Sequence, residues 1–182
     1  MVKVTNSITG GVHAGTTIMT GSIGSLNISA DGGDTSLDGI ADTITDDLEL
    51  RELVAEFRAE LDRPGPRLAV LTKGESAVVH ALLSLVGKNP TAELGLIAEE
   101  VAGRLSSRVK EYGATEAELV VEVVEFRAEL DRPGPRLAVL TKGESAVVYG
   151  LLALVAGIRP DLDPIAEEVA ERLAERVLEH DV

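Results

Sequence analysis

The sequence predicts a mainly α-helical fold in which two tandem copies of a small helical unit follow a strand-forming N-terminal segment. Residues 56–79 recur without a single change as residues 125–148, which shows an internal duplication. Aromatic residues make up only 2% of the chain, so the core must be aliphatic, and its aliphatic residues recur at helical spacing. Residues 4–30 contain no Asp, Glu, Lys or Arg, although the chain has a formal net charge of -14.

The N-terminal segment, residues 1–30, combines single aliphatic side chains with Gly, Ser and Thr. Glycine destabilises a helix by about 1 kcal/mol relative to alanine, whereas Thr, Ile and Val favour extended backbone. We therefore predict β-strands here, followed by an acidic linker at residues 31–44. An uncharged strand-forming segment is suited to pairing between chains. The candidate self-association residues are Ile8, Val12, Ile18, Met19, Gly21, Ile23 and Ile28.

The two helical repeats are predicted at residues 45–112 and 113–182, with about three helices each. The first helix of repeat 1 is expected from about Asp46 to Asp62, with its apolar residues on one face. Its counterpart in repeat 2 is expected to begin at the capping-box sequence that starts with Thr115 and to continue to Leu130. Both helices end at Arg-Pro-Gly-Pro, where proline removes backbone donors and forces a sharp turn.

The second helix of each repeat is expected to begin at another capping box, Thr72 with Glu75 and Thr141 with Glu144. These helices are apolar almost all round, which is typical of the buried centre of a unit. The last helices are amphipathic, and their repeated aliphatic residues are Ile97, Val101, Leu105 and Val109, and Ile165, Val169, Leu173 and Val177. Because the repeats share these faces, we expect them to pack about a pseudo-twofold axis.

Composition excludes several classes of function. An acidic chain without a local basic patch would repel a phosphate backbone, so no nucleic-acid partner is expected. The absence of cysteine excludes disulfides and thiolate metal sites. The longest uncharged apolar runs, residues 76–87 and 145–158, are too short to span a bilayer. No secretion signal is recognised, and a cytoplasmic location is expected.

The sequence predicts no catalytic, cofactor-binding or metal-binding residue, and therefore a protein that is not an enzyme. The repeated Thr-Lys-Gly-Glu-Ser lacks the spacing of a phosphate-binding loop and is better explained by helix capping. The histidines have no spacing suited to a metal, and His80 is replaced by Tyr149 in repeat 2. Arginines near the two Pro-Gly-Pro turns are expected to form ion pairs around the turns or, alternatively, a partner surface: Arg58, Arg63, Arg67, Arg127, Arg132 and Arg136.

The spacing in the N-terminal segment reads Asn6-x-Ile8-x-Gly10-x-Val12-x-x-Gly15-x-x-Ile18-Met19-x-Gly21-x-Ile23-Gly24. It resembles the short amyloid signalling motifs of bacterial, especially actinobacterial, immune-type proteins, which are similar to the RHIM motif of necroptosis adaptors. The family's motif centre is an aliphatic residue, Gln, a variable residue and Gly, and Met19 stands here in place of Gln. That difference removes the amide ladder along a stacked fibril. The resemblance implies homotypic recognition between copies of the segment.

The residues alone also allow a closed assembly. Aliphatic residues at positions 18, 23 and 28, with glycines at intervening turns, could wind with copies from other subunits into a β-prism or short β-solenoid that has no free edge. Both alternatives predict self-association through the N-terminal segment.

We therefore predict a non-enzymatic oligomerisation or adaptor protein, whose N-terminal strands assemble and whose duplicated helical domain presents or recruits a partner. The expected partners are the chain itself and a protein that shares its motif. One alternative is a structural protein in which the helical repeats form the wall of a filament or shell. Another is a monomeric helical binding module with a disordered N-terminal arm that orders only on the sheet edge of a partner.

Overall fold

A computed structural model describes residues 47–88 and 92–180, and these residues are mainly helical, as predicted. The N-terminal segment and the acidic linker lie outside the described residues. In repeat 1, the elements are α1 (Asp47–Asp62), β1 (Arg67–Leu71), α2 (Lys73–Gly87) and α3 (Ala92–Glu111). In repeat 2, they are α4 (Glu116–Leu119), α5 (Phe126–Leu130), β2 (Leu137–Thr141), α6 (Lys142–Ala153), α7 (Val155–Ile158) and α8 (Asp163–Glu179). Short 3-10 turns lie at Val123–Glu125 and Pro160–Leu162.

The sequence analysis missed the two-stranded antiparallel sheet that β1 and β2 form. Each strand lies between a proline turn and an extended N-cap residue, Thr72 or Thr141, which leaves too little chain for a helix. Ala69 pairs with Ala138, its equivalent in the duplicated string, and the register is irregular on either side of this pair. Because one strand comes from each repeat, the sheet joins the two repeats.

The structure also corrects the prediction for residues 115–130. They do not form one helix, because the backbone is extended at Val120 and again at Glu122, between α4 and α5. Repeat 2 has a run of β-branched residues where repeat 1 has a mixture of helix-forming residues, and β-branched side chains lose rotamer freedom in a helix. The valines are Val120, Val121, Val123 and Val124, in place of Arg51, Glu52, Val54 and Ala55.

The predicted capping boxes of α2 and α6 are confirmed. The Thr72 hydroxyl accepts a hydrogen bond from the Glu75 amide at 3.3 Å, and the Glu75 carboxylate accepts one from the Thr72 amide at 2.8 Å. Thr141 and Glu144 repeat this exchange at 3.2 and 2.9 Å. The prediction that these helices are buried is confirmed by residues that are fully inaccessible, among them Val78, Val79, Leu82 and Leu83 in α2 and Val147, Val148, Leu151 and Leu152 in α6.

The helices pack both within and across the repeats. The last helices α3 and α8 pack against α2 and α6 of their own repeats. The first helices cross over, because α1 packs against α6 and its counterpart α5 packs against α2. The predicted aliphatic residues of α3, Ile97, Val101, Leu105 and Val109, are fully buried. Of their equivalents on α8, Val169 and Leu173 are fully buried, whereas Ile165 and Val177 are partly exposed. Neither repeat covers its central helix alone.

Glycine is required where α2 and α6 begin. A Cβ atom at Gly74 would lie 2.2 Å from the backbone oxygen of Glu129, and one at Gly143 would lie 2.3 Å from that of Glu60. Both obstructing atoms are main-chain carbonyls near the ends of helices, which cannot move without shifting the helix. The first helix of each repeat can therefore dock only against a glycine in the other repeat.

We predict that Gly143→Ala lowers the free energy of unfolding by about 1–3 kcal/mol, because the new methyl group overpacks this helix contact. The matched control is Gly103→Ala on α3, where an added Cβ meets no atom within 4 Å. That variant should be neutral or more stable by up to about 1 kcal/mol, because alanine favours the helix. Urea denaturation measures both changes, and equal effects of the two substitutions would contradict the proposed close contact.

Candidate functional site

Two buried glutamates lie where the repeats meet, and each is held by two arginines of the other repeat. The Glu144 cluster consists of Glu144 at the start of α6 with Arg104 and Arg108 on α3. The Glu75 cluster consists of Glu75 at the start of α2 with Arg172 and Arg176 on α8. The two glutamates are only 1% and 2% exposed, so each charge depends on its partners.

In the Glu144 cluster, Arg108 donates two hydrogen bonds to the carboxylate, at 2.5 Å to Oε2 and 2.8 Å to Oε1. Arg104 donates a third to Oε1 at 3.2 Å. The same guanidinium groups also donate to backbone carbonyls, Arg108 to Val139 at 2.7 Å and Arg104 to Leu61 at 3.2 Å. One cluster therefore connects α3 to β2, α6 and the end of α1.

The Glu75 cluster makes the same contacts with the repeats exchanged. Arg176 donates to Glu75 at 2.5 and 2.8 Å, and Arg172 donates at 3.3 Å. Arg176 also donates to the carbonyl of Val70 at 2.7 Å, and Arg172 to that of Leu130 at 2.8 Å. Every donor and acceptor here is the sequence equivalent of one in the Glu144 cluster.

Local sequence accounts for this geometry. Arginines four residues apart lie on one face of a helix, so Arg104 and Arg108 reach the same carboxylate. The capping box orients that carboxylate, because one of its oxygens already accepts the N-cap amide. A guanidinium group matches a carboxylate with two parallel hydrogen bonds, which makes the charged pair both strong and directional.

The arginines lower the pKa of both glutamates. Burial by itself would raise the pKa of Glu144, but hydrogen bonds from Arg108, the Thr141 amide and Arg104 lower it from 4.5 to about 2. For Glu75, burial again raises the pKa, but hydrogen bonds from Arg176, the Thr72 amide and Arg172 bring it below its ordinary value. Both carboxylates are therefore charged at neutral pH.

This arrangement is suited to joining elements rather than to chemistry, because the carboxylate oxygens are engaged by arginines and by a backbone amide. Within residues 47–88 and 92–180, no group of three or more His, Asp or Glu side chains is arranged to hold a metal ion. In the same part of the chain, no helix is both long and apolar enough to cross a bilayer.

The six arginines predicted near the turns form separate ion pairs rather than one cluster at each turn. In repeat 1, Arg58 pairs with Glu100, and Arg67 pairs with Glu111 at 2.7 Å, so both are bonded to α3. Their equivalents, Arg127 and Arg136, pair with Glu168 and Glu179 on α8. Arg63 and Arg132 each pair at 2.9 Å with the glutamate three residues earlier. The turns themselves are exposed.

The predicted self-association residues, from Ile8 to Ile28, lie outside the described residues, so self-association remains a prediction. Sequence reasoning missed the buried clusters because helix capping already explained Glu75 and Glu144. A signal was present: Arg104 and Arg108 recur as Arg172 and Arg176, although residues between them changed.

Comparisons of the chain with protein-family models, with curated proteins and with solved structures find no match.

We predict that Glu144→Gln lowers the free energy of unfolding at pH 7 by up to about 3–5 kcal/mol, because it removes the buried charge that the partly buried guanidinium groups of Arg104 and Arg108 share. The matched control is Glu175→Gln on the exposed face of α8, which should change stability by less than about 0.5 kcal/mol.

The loss of unfolding free energy in Glu144→Gln should also depend on pH. The pKa of Glu144 is about 2 in the folded chain and close to 4.5 when unfolded, so the unfolded chain takes up this proton first. The stabilisation is therefore complete above pH 4.5 and is lost as pH falls toward 2. Urea titrations of the wild type and Glu144→Gln at several pH values should show the gap between them narrowing over this window. A gap that stays constant would contradict the lowered pKa.

Proposed function

We propose that the protein is a non-enzymatic assembly or adaptor protein. Copies of the N-terminal segment pair between chains, and the duplicated helical domain presents or recruits a partner. The observation that carries this proposal is the distribution of charge. Lys3 is the one charged residue among the first 30, so the net negative charge comes from the rest of the chain. Acidic helical domains repel one another, so attraction between chains is expected from the uncharged segment.

We infer further that the helical domain is a pair of repeats related by a pseudo-twofold axis. Three sets of contacts support this symmetry. The Glu75 and Glu144 clusters consist of sequence-equivalent donors and acceptors, with the two repeats in opposite roles, and Gly74 and Gly143 make equivalent close contacts. The sheet pairs Ala69 with its own equivalent, as expected where a twofold axis passes between antiparallel strands.

The symmetry would present one surface twice. The Asp-Arg-Pro-Gly-Pro-Arg turns at residues 62–67 and 131–136 are identical and exposed. The side chains of Arg58, Arg63 and Arg67 are 44%, 53% and 41% exposed, although each pairs with a glutamate. We propose that these two basic turns, on an otherwise acidic protein, are where an acidic partner is recruited.

The resemblance to amyloid signalling motifs supports the same assignment for the N-terminal segment, because homotypic strands would bring the helical domains together. A stack of in-register strands and a closed β-assembly both fulfil this role. Fibre imaging and thioflavin binding of a peptide covering residues 4–30 would separate these two forms.

We predict that the full chain forms oligomers, and that Ile18→Asp dissociates them by introducing a charge into the paired strands. A chain that begins at Leu37 should no longer form these oligomers while retaining the helical circular dichroism of the wild type. Size-exclusion chromatography with light scattering measures the three masses. If all three proteins have the same oligomeric state, the self-association proposal is wrong. Ala59→Asp, which introduces the same charge at an exposed site on α1, is the control and should leave the mass of the assembly unchanged.

A further inference from the structure

Each repeat carries both halves of the contact that joins the repeats. Repeat 1 offers a buried acceptor at Gly74 and Glu75, and it also offers the arginine pair on α3 and the helix end at Glu60. Repeat 2 offers the equivalent residues. A surface that holds both complementary parts can be satisfied by another copy of itself, which is the property of an isologous interface.

Because each first helix packs against the central helix of the other repeat, a separated repeat is incomplete. When α1 leaves α6, the central helix of repeat 2 loses a covering helix, and Glu144 stays buried only if Arg104 and Arg108 of α3 remain in place. Leaving such a charge without its partner is strongly unfavourable. An undocked repeat is therefore less stable than one that has docked on an equivalent repeat.

The connection between the repeats is short, and its residues are exposed except Ala114. Helix α3 ends at Glu111 and α4 begins at Glu116, and Gly113 between them has a φ of 81°, a conformation that favours glycine. Short hinge loops between complementary parts are where proteins exchange elements between chains.

We propose that the two repeats exchange between chains, so that repeat 1 of one chain docks on repeat 2 of a second copy. This interaction uses the sheet and the two glutamate clusters, and it does not depend on the N-terminal segment. Two chains that exchange in both directions form a closed dimer, and chains that exchange in one direction form an open series.

One contact favours repeat 2 as the partner of repeat 1. A Cβ atom at Gly150 on α6 would lie 2.6 Å from the ring of Phe57 on α1. The equivalent position in repeat 1 is Ala81, and Phe126, the equivalent of Phe57, lies in α5, which packs against the helix that carries Ala81. Two copies of repeat 1 would therefore require Phe57 to shift from its observed position, whereas repeat 1 against repeat 2 retains both observed contacts. Exchange should favour the unlike pair.

Single cysteines test the proposal, because the chain has none of its own. Ala69→Cys and Ala138→Cys lie opposite each other in the sheet. A chain carrying both substitutions should form an internal disulfide, which shows that the site permits the bond. Two chains carrying one substitution each, distinguished by a tag, are then unfolded together, refolded at high protein concentration and oxidised.

Exchange predicts a disulfide between the two different chains, in several-fold excess over the dimers that either chain forms alone. The matched control is Ala59→Cys mixed with Ala128→Cys, which are equivalent and exposed but lie outside the sheet. No more mixed dimer than in this control, while the doubly substituted chain closes internally, would overturn the proposal. Equal amounts of mixed and single-type dimers would overturn the preference for the unlike pair.

The same mixture with Ile18→Asp in both chains separates this proposal from the proposed function. Repeat exchange predicts that the mixed disulfide persists in this background. Its loss would show that the N-terminal segment alone had brought the chains together, and that the repeats do not exchange.

Discussion

The burial of one glutamate from each repeat beneath arginines from the other is the constraint on which the structure depends. Glu75 and Glu144 are fixed at the starts of the central helices by their own capping boxes, so their carboxylates cannot rotate into the solvent. Arg108 and Arg176 also donate to carbonyls of the opposite strands, which links the sheet to the same clusters. The glutamate clusters form only when the two repeats pack in one arrangement. The sheet, the crossed first helices and the glycine contacts all depend on that same arrangement.

We infer that the clusters contribute more to specificity than to net stability. A buried ion pair is often no better than well-packed apolar residues, because desolvation of the charges offsets their attraction. An unpaired buried carboxylate is very unfavourable, so any packing that separates Glu75 from Arg176 is strongly disfavoured. The aliphatic residues around the central helices could pack in several ways, whereas a bidentate charged contact is directional. The two charged clusters thus specify which faces meet, and the apolar residues provide the stability.

Sequence reasoning located the helices and turns whose signals are local, and it missed the features that depend on distant parts of the chain. The capping box at Thr72 and Glu75 needs only neighbouring residues, so its prediction was correct. The strand at residues 67–71 has too few residues for a clear pattern, and its partner lies in the other repeat. The break after Leu119 follows from a run of valines, which have a low helix propensity. The prediction gave more weight to the helical spacing of the apolar residues. The cluster at Glu144 could not be inferred from spacing, because its arginines belong to another repeat.

A double-mutant cycle tests most directly whether each glutamate depends on the opposite repeat. Glu144→Gln, Arg108→Met and the double variant are compared by urea denaturation, beside a second cycle that pairs Glu144→Gln with Arg176→Met of its own repeat. We predict a coupling of about 2 kcal/mol or more between Glu144 and Arg108, and one within about 0.5 kcal/mol of zero between Glu144 and Arg176. Additive effects at Glu144 and Arg108, or equal coupling in both cycles, would contradict the reciprocal arrangement.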